Sequence, residues 1–277
     1  MQDVTAVSLN KKRNRFRTLT MICLCVEILA VVLMFTSHQV LGLVIGLASF
    51  AGYFVITRMG KRQVNDAVAQ AQMKNLGLDG CRYLGRLAVE KKELAEAELL
   101  PSRCVLDTPV FQHGAVGQMG GRELTVGEIT LSFPKKEGKQ NREFNSGAFV
   151  VATLTKPLET PLVLLGNKPF MISLTRQDYA NDGYTQCPIG GKNKGWYAFT
   201  PGNAIPDEKI TQAWEALCEA AGGQAAMAVK GDKVYAFFCG LFTTETFQLS
   251  EEIAEADLKK RVFPHLPLLT AVLDAME

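Results

Sequence analysis

Two apolar runs, Leu19 to Thr36 and Val40 to Thr57, stand three residues apart near the start of a 277-residue chain, and they constrain it more than any other feature. Each run has 18 residues, about 27 Å as an α-helix, against a bilayer hydrocarbon core of roughly 30 Å. One continuous helix through both would be far too long for a bilayer. Two antiparallel helices turning at Ser37, His38 and Gln39 satisfy every main-chain amide internally, as lipid requires. The sequence therefore predicts a transmembrane helical hairpin over 18–57. A cleaved export signal fits less well, because Glu27 interrupts the first run, no small-residue cleavage pattern follows it, and a second apolar run begins at once.

Charge sets the expected orientation. Lys11, Lys12, Arg13, Arg15 and Arg17 precede the first run and Arg58, Lys61 and Arg62 follow the second, whereas the turn carries no Lys or Arg. Basic flanks stay on the cytoplasmic side. Both chain ends are therefore expected in the cytoplasm, with the hairpin in the cell (inner) membrane and these eight side chains at anionic lipid headgroups. Residues 1–62 carry eight Lys/Arg against Asp3 and Glu27, a balance of +6, and residues 63–277 carry 22 against 26, a balance of −4. That soluble part lacks the concentrated basic surface that nucleic acid needs. Seven cysteines, an odd number without a Cys-x-x-Cys pair, fit a reducing compartment.

Inside the hairpin, Gly42 and Gly46 are four residues apart and Ser49 follows on the same helix face. Small residues at that spacing allow close helix approach. The face has two candidate partners, the first helix of the same chain or a second copy. Glu27 falls near the middle of the first helix, where a carboxylate in lipid costs about 3 kcal/mol or more. An interhelical hydrogen bond is its expected role, since one acidic residue in two helices gives little basis for an ion pathway.

Beyond the hairpin the chain divides into a basic tail (1–17), a helical stalk (58–102) and an α+β domain (103–277). In the stalk, Val64, Val68, Ala71 and Leu76 recur at near-helical spacing, Gly77 and Gly80 interrupt, and Leu84, Leu87, Leu94 and Ala97 continue to Pro101. Strands are expected over Cys104–Phe111, Glu123–Phe133, Glu143–Thr155 and Leu162–Leu174, mostly antiparallel because their connections are short. The alternation slips between Val126 and Ile129, where Gly127 is suited to a bulge. Arg176 to Lys194 reads as a polar loop, and Gly195 to Thr200 as a strand. A helix opens at Pro206 and ends at Gly222-Gly223. A hairpin follows, with Gln224–Val229 and Val234–Cys239 flanking Lys230-Gly231-Asp232-Lys233. Ser250 is placed to cap a helix running to Arg261, and Pro264 and Pro267 precede a last apolar helix.

Chemistry-bearing patterns are sparse. The available thiol dyads are Cys104 with His113 and Cys187 with His265, pairings that arise easily by chance. Gly114, Gly117, Gly120 and Gly121 match neither phosphate-loop spacing and read as turns, and Gly190-Gly191-Lys192 lacks a following hydroxyl. No metal, cofactor or catalytic set is assigned from these residues.

The order of several motifs carries a resemblance: GRELTVGEITLSF, EFNSGAFVVATLTKPL, GWYAFTPGN, ITQAWEALCEA and VKGDKVYAFF, then a final apolar helix. Together, over roughly the last two-thirds of the chain, they resemble the bacterial membrane-anchored family numbered thirty-one thirty-seven in the domain-of-unknown-function series. Glu128 is similar to that family's acidic position before its central strand. Phe144, Gly147 and Phe149 resemble its Phe-x-Gly-x-Phe stretch with one additional residue. The resemblance implies a paired-helix anchor and a cytoplasmic α+β domain, and brings no reaction or catalytic residue with it. The resulting expectation is an α+β protein: a transmembrane hairpin and a largely antiparallel-sheet cytoplasmic domain with flanking helices. It would act as a non-enzymatic interaction or scaffold protein with a protein partner, with self-association open. Its alternatives are a membrane-anchored hydrolase using the loop from Arg176 to Lys194, or an accessory subunit of a channel or transporter.

Overall fold

Both apolar runs lie inside longer helices, α1 (Ala6–Met34) and α2 (Gln39–Met73). The computed structural model describes residues 5–36, 38–85, 99, 110–134, 142–166, 179–180, 182–189, 196–202, 204–242, 244 and 246–277. Thr5 caps α1 reciprocally with Ser8. Past the apolar run, α2 continues through Val64, Val68 and Ala71, because a helical stripe of small and β-branched residues still has something to bury.

The chain forms two compact units, one of Met1–Gln72 with Thr244–Lys260 and one of Met73–Thr243 with Arg261–Glu277. The stalk and domain boundaries drawn from sequence at 58 and 103 differ from this division. After a short 3₁₀ turn at Lys74–Leu76, residues Asp79–Gly85 form strand β1 rather than the resumption of a stalk helix. Gly77, in the left-handed region at φ +80°, ends the turn. The rest of the predicted second stalk helix, and Cys104 with most of its predicted strand, lie outside the described residues.

The second unit is α+β. Its strands are β1, β2 (Val110–Met119), β3 (Arg122–Pro134), β4 (Arg142–Leu165), β5 (Tyr184–Ile189), β6 (Trp196–Pro201) and β7 (Ala225–Cys239). The order is β1-β2-β3-β4-β6-β5 with β7 also on β4, and every pairing among them is antiparallel. Helices α3 (Glu208–Ala220) and α5 (Leu266–Asp274) belong to this unit, and the short α4 (Glu255–Leu258) to the first.

Four expectations are corrected here. The two segments expected as separate strands on either side of Pro157 are one 24-residue strand, β4. Its register with β7 shifts between Thr153 and Leu158 and again before Leu162, irregularities that absorb prolines lacking an N–H. The expected hairpin at Lys230–Lys233 is one continuous strand, with Val234–Cys239 and Ala226–Val229 both pairing to β4. Gly231, at φ +60°, serves the bulge rather than a two-residue turn. The slip near Gly127 belongs to the facing strand, where His113 is the extra residue, at φ +39°. Part of the supposed polar loop, Tyr184–Ile189, is strand β5 paired with β6.

The core has two sides. Leu124, Val126, Ala148, Val150, Ala236 and Phe238 face one cluster, which Trp214 and Leu217 of α3 and Leu269 and Val272 of α5 complete. Ile129, Leu131, Phe149, Tyr235 and Phe237 face the other, with Tyr179 and Phe199. Burial on both sides explains why β3 lacks a clean two-residue alternation. Asp207 caps α3 by accepting the Lys209 N–H at 2.7 Å, so Pro206 stands outside the helix.

Candidate functional site

Where α1 meets α2, the small-residue face lies on the first helix of its own chain. A Cβ added to Gly42 would stand 2.8 Å from both the Ala30 oxygen and the Met34 nitrogen, and one on Gly60 would stand 2.8 Å from Phe16. Gly46 faces Ala30 and Met34 at ordinary contact distance. The interhelical hydrogen bond expected of Glu27 is made instead by Ser49, whose hydroxyl donates to the Cys23 carbonyl at 2.6 Å. Glu27 itself is half-buried.

At the basic end of the helices the structure adds a partner that sequence reading missed. Residues 244–260 form a strap across α1 and α2. Asn10 clasps its main chain at two points: Nδ2 donates to the Ile253 carbonyl (2.8 Å) and Oδ1 accepts the Ile253 N–H (3.1 Å). Glu255 accepts the Ala6 N–H at 2.8 Å, Gln72 donates to the Asp257 carbonyl at 2.8 Å, and Asn65 accepts the Phe247 N–H at 2.8 Å. Phe247, Leu249, Ile253 and Leu258 pack with Ala6, Leu9, Val64, Val68 and Ala71. The clasp on Ile253 diverts main-chain groups that a helix would use, so only Glu255–Leu258 is helical, not the whole span from Ser250 to Arg261. One signal was present in the sequence: Asn65 and Gln72 interrupt the apolar stripe of α2.

Of the eight basic residues expected at headgroups, Lys11, Lys12, Arg15, Arg17, Arg58 and Arg62 are exposed and Lys61 is half-exposed. Arg62 also lies 3.8 Å from Asp66. Arg13 departs from the expectation. It is 6% exposed and donates to the Glu251 carbonyl and to Asn14 Oδ1 (2.9 Å). It is a strap residue in this conformation because it sits on the α1 face shared with Ala6 and Leu9.

Within the second unit, β7 runs along one edge of both halves of β4, so β3 and β6 share the other edge. A cleft of about 400 Å³ in this unit is lined by Leu158, Leu162, Ile210 and Met276, with the exposed Lys156 and Glu159 also on its lining. Ile205 stands beside it, 87% exposed. Thr200 donates its hydroxyl to the Ala204 carbonyl at 2.6 Å. Its polar lining comprises Lys156, Glu159, Thr160, Thr200 and Asp207.

Next to the cleft, the buried Arg122 guanidinium holds Asp274 (2.6 Å) and Glu277, and Glu277 also accepts the Thr155 N–H at 2.6 Å. The Arg122 hydrogen bond, helped by that N–H, lowers the Glu277 carboxyl to about 2. A carboxyl depressed in the folded state stabilises above its unfolded value, about 4.3, and that contribution disappears as pH falls toward 2. Across that window Glu277→Gln is expected to show a flatter loss of thermal stability than the parent chain. Parallel melting curves for the two would count against the clamp.

The thiol dyads find no common site among the described residues. Cys187 donates weakly to the Ala204 carbonyl (3.8 Å), while His265 packs edge-on against Phe263, with burial lowering its pKa. His113 Nδ1 instead lies 2.8 Å from the Tyr83 hydroxyl. Burial raises the carboxyl of Glu128. Gly114 and Gly117 lie within strand β2 rather than in turns, and a Cβ on Gly117 would stand 2.7 Å from Leu78 Cβ.

Fold and site thus define an α+β protein with two N-terminal apolar helices, each long enough to cross a membrane, and a mostly antiparallel sheet. No family model matches the chain and no curated protein does, so the resemblance noted above rests on motif order alone. Among solved structures, the crystal structure of the mycobacterial trehalose monomycolate transport factor A, TtfA, is similar at 9% identity and a TM-score of 0.35, covering 77% of this chain and 94% of that one. An overlap of that depth carries no argument about activity.

Proposed function

We propose that the chain is an integral membrane protein whose hairpin enters the cell membrane from the cytoplasm and returns, and whose α+β unit engages another protein. One observation carries the first part. Only 6% of the most apolar 18-residue window of α1, and 11% of that of α2, is buried. A soluble protein's core helix would be buried in its own fold, and bare apolar surface of this extent calls for lipid. The basic residues all gather at one end of the helices, which supports a cytoplasmic position for both chain ends. For the second part, the cleft beside Ile205 offers a partner apolar surface together with polar side chains.

A cleavable tag after Glu277 tests the orientation. It is expected to resist added protease in sealed spheroplasts and to be cut in inverted membrane vesicles. Cleavage in the spheroplasts would place the α+β unit on the other side. A photocrosslinker at Ile205 tests the binding surface, and adducts equal to those from an exposed position on α3 such as Gln212 would remove the cleft from consideration.

A further inference from the structure

Arg13 is the one member of its basic cluster that the fold withdraws from solvent. Its Nη1 and Nη2 have acceptors, a main-chain carbonyl and a neutral amide, and its Nε–H has none. Among the described residues no carboxylate pairs with it. A cation buried without a counter-charge is held at a cost, and a planar guanidinium with its Nε edge unused is matched to the two oxygens of a phosphate. Six residues separate Arg13 from the start of the apolar run at Leu19, about 9 Å along the helix axis. That brings its long side chain within reach of lipid headgroups.

We infer that Arg13 exchanges between the strap and the phosphate of an anionic lipid, so that anionic lipid opens the strap. This rests on the membrane reading above. The strap's charge points the same way. Over 244–260 it carries five carboxylates (Glu245, Glu251, Glu252, Glu255 and Asp257) against Lys259 and Lys260, a balance of −3, whereas Lys11, Lys12, Arg15 and Arg17 on α1 are exposed. An anionic leaflet attracts the helix side of the contact and repels the strap side. Release breaks no sheet pairing, since the strap is joined to α1 and α2 by side-chain hydrogen bonds and an apolar cluster.

The test uses the full chain in nanodiscs of phosphatidylcholine and in discs of equal parts phosphatidylcholine and phosphatidylglycerol. Amide exchange of residues 246–258 is expected to be about fivefold faster in the anionic discs, the effect of roughly one basic side chain at a charged surface. In Arg13→Met, which keeps an unbranched buried side chain, that lipid dependence should largely vanish while exchange in β7 stays unchanged. Equal exchange of the parent chain in both discs would overturn the inference, as would a full lipid effect surviving in Arg13→Met. If Arg13→Met disturbs β7, Arg13→Lys replaces it. Lysine keeps the charge without the paired donors, so an undiminished fivefold effect there overturns the exchange on phosphate and a reduced one supports it. Failure of the membrane reading looks different: the protein would leave both kinds of disc on flotation, and the amides of 19–36 would exchange freely.

Discussion

A chain lacking residues 1–62 is expected to keep its sheet and lose its strap. The truncation removes Ala6 and Leu9 from beneath Phe247, Leu249, Ile253 and Leu258, together with the Asn10 clasp on Ile253. Four apolar side chains, each worth roughly 1.5–3 kcal/mol when fully buried, then keep only Val64, Val68 and Ala71 of their cluster, on a segment without a sheet to hold it. The sequence alone presents this fragment as a clean soluble domain. The structure instead predicts protease cutting confined to residues 244–260 and a fragment that clings to membranes or to itself. Replacing the four side chains with serine should restore solubility. Uniform protease resistance and a monodisperse fragment without those replacements would show that the strap folds independently of the helices.

Gly147→Ala is expected to be the most destabilising single methyl group that can be added to the second unit's central strand pair. Its Cβ would stand 2.0 Å from the Phe238 oxygen and 3.0 Å from Cys239 Cα, both main-chain atoms of β7. No rotamer relieves a clash with backbone, so β4 and β7 must part where Ala148 faces Phe238. We expect a loss of about 4 kcal/mol or more, in the range reserved for disrupted cores. Gly202→Ala is the comparison: its φ is +68° but nothing lies within 4 Å of the added carbon, so about 1 kcal/mol is expected from backbone strain alone. Melting both variants as full-length protein checks the order, and a Gly147→Ala chain as stable as Gly202→Ala would mean that β4 and β7 are not paired in this register.

Legibility followed the range of the interaction. The apolar helices and the Gly42, Gly46 and Ser49 face were readable because helical spacing is a local property. Small residues also announce close packing before the partner is known. The strap was not readable. Asn10 meets Ile253, and Gln72 meets Asp257, across most of the chain, and a single amide clasp leaves no period to detect. Lys230–Lys233 has the composition of a hairpin turn, yet the long β4 offers both flanking segments a better partner than each other. The helix expected to open at Pro206 starts two residues later, at Glu208, a displacement usual for helix starts. The cleft combines β4, the segment after β6 and Met276, three places that no local pattern joins.

The chain passes between its two units three times, at 72–73, 243–244 and 260–261. A protein hung from a lone tether can spin about it, and a twist of the anchor dissipates in the joint. Three covalent links instead make each unit discontinuous in sequence, so neither can be separated from the other by a single cut in the chain.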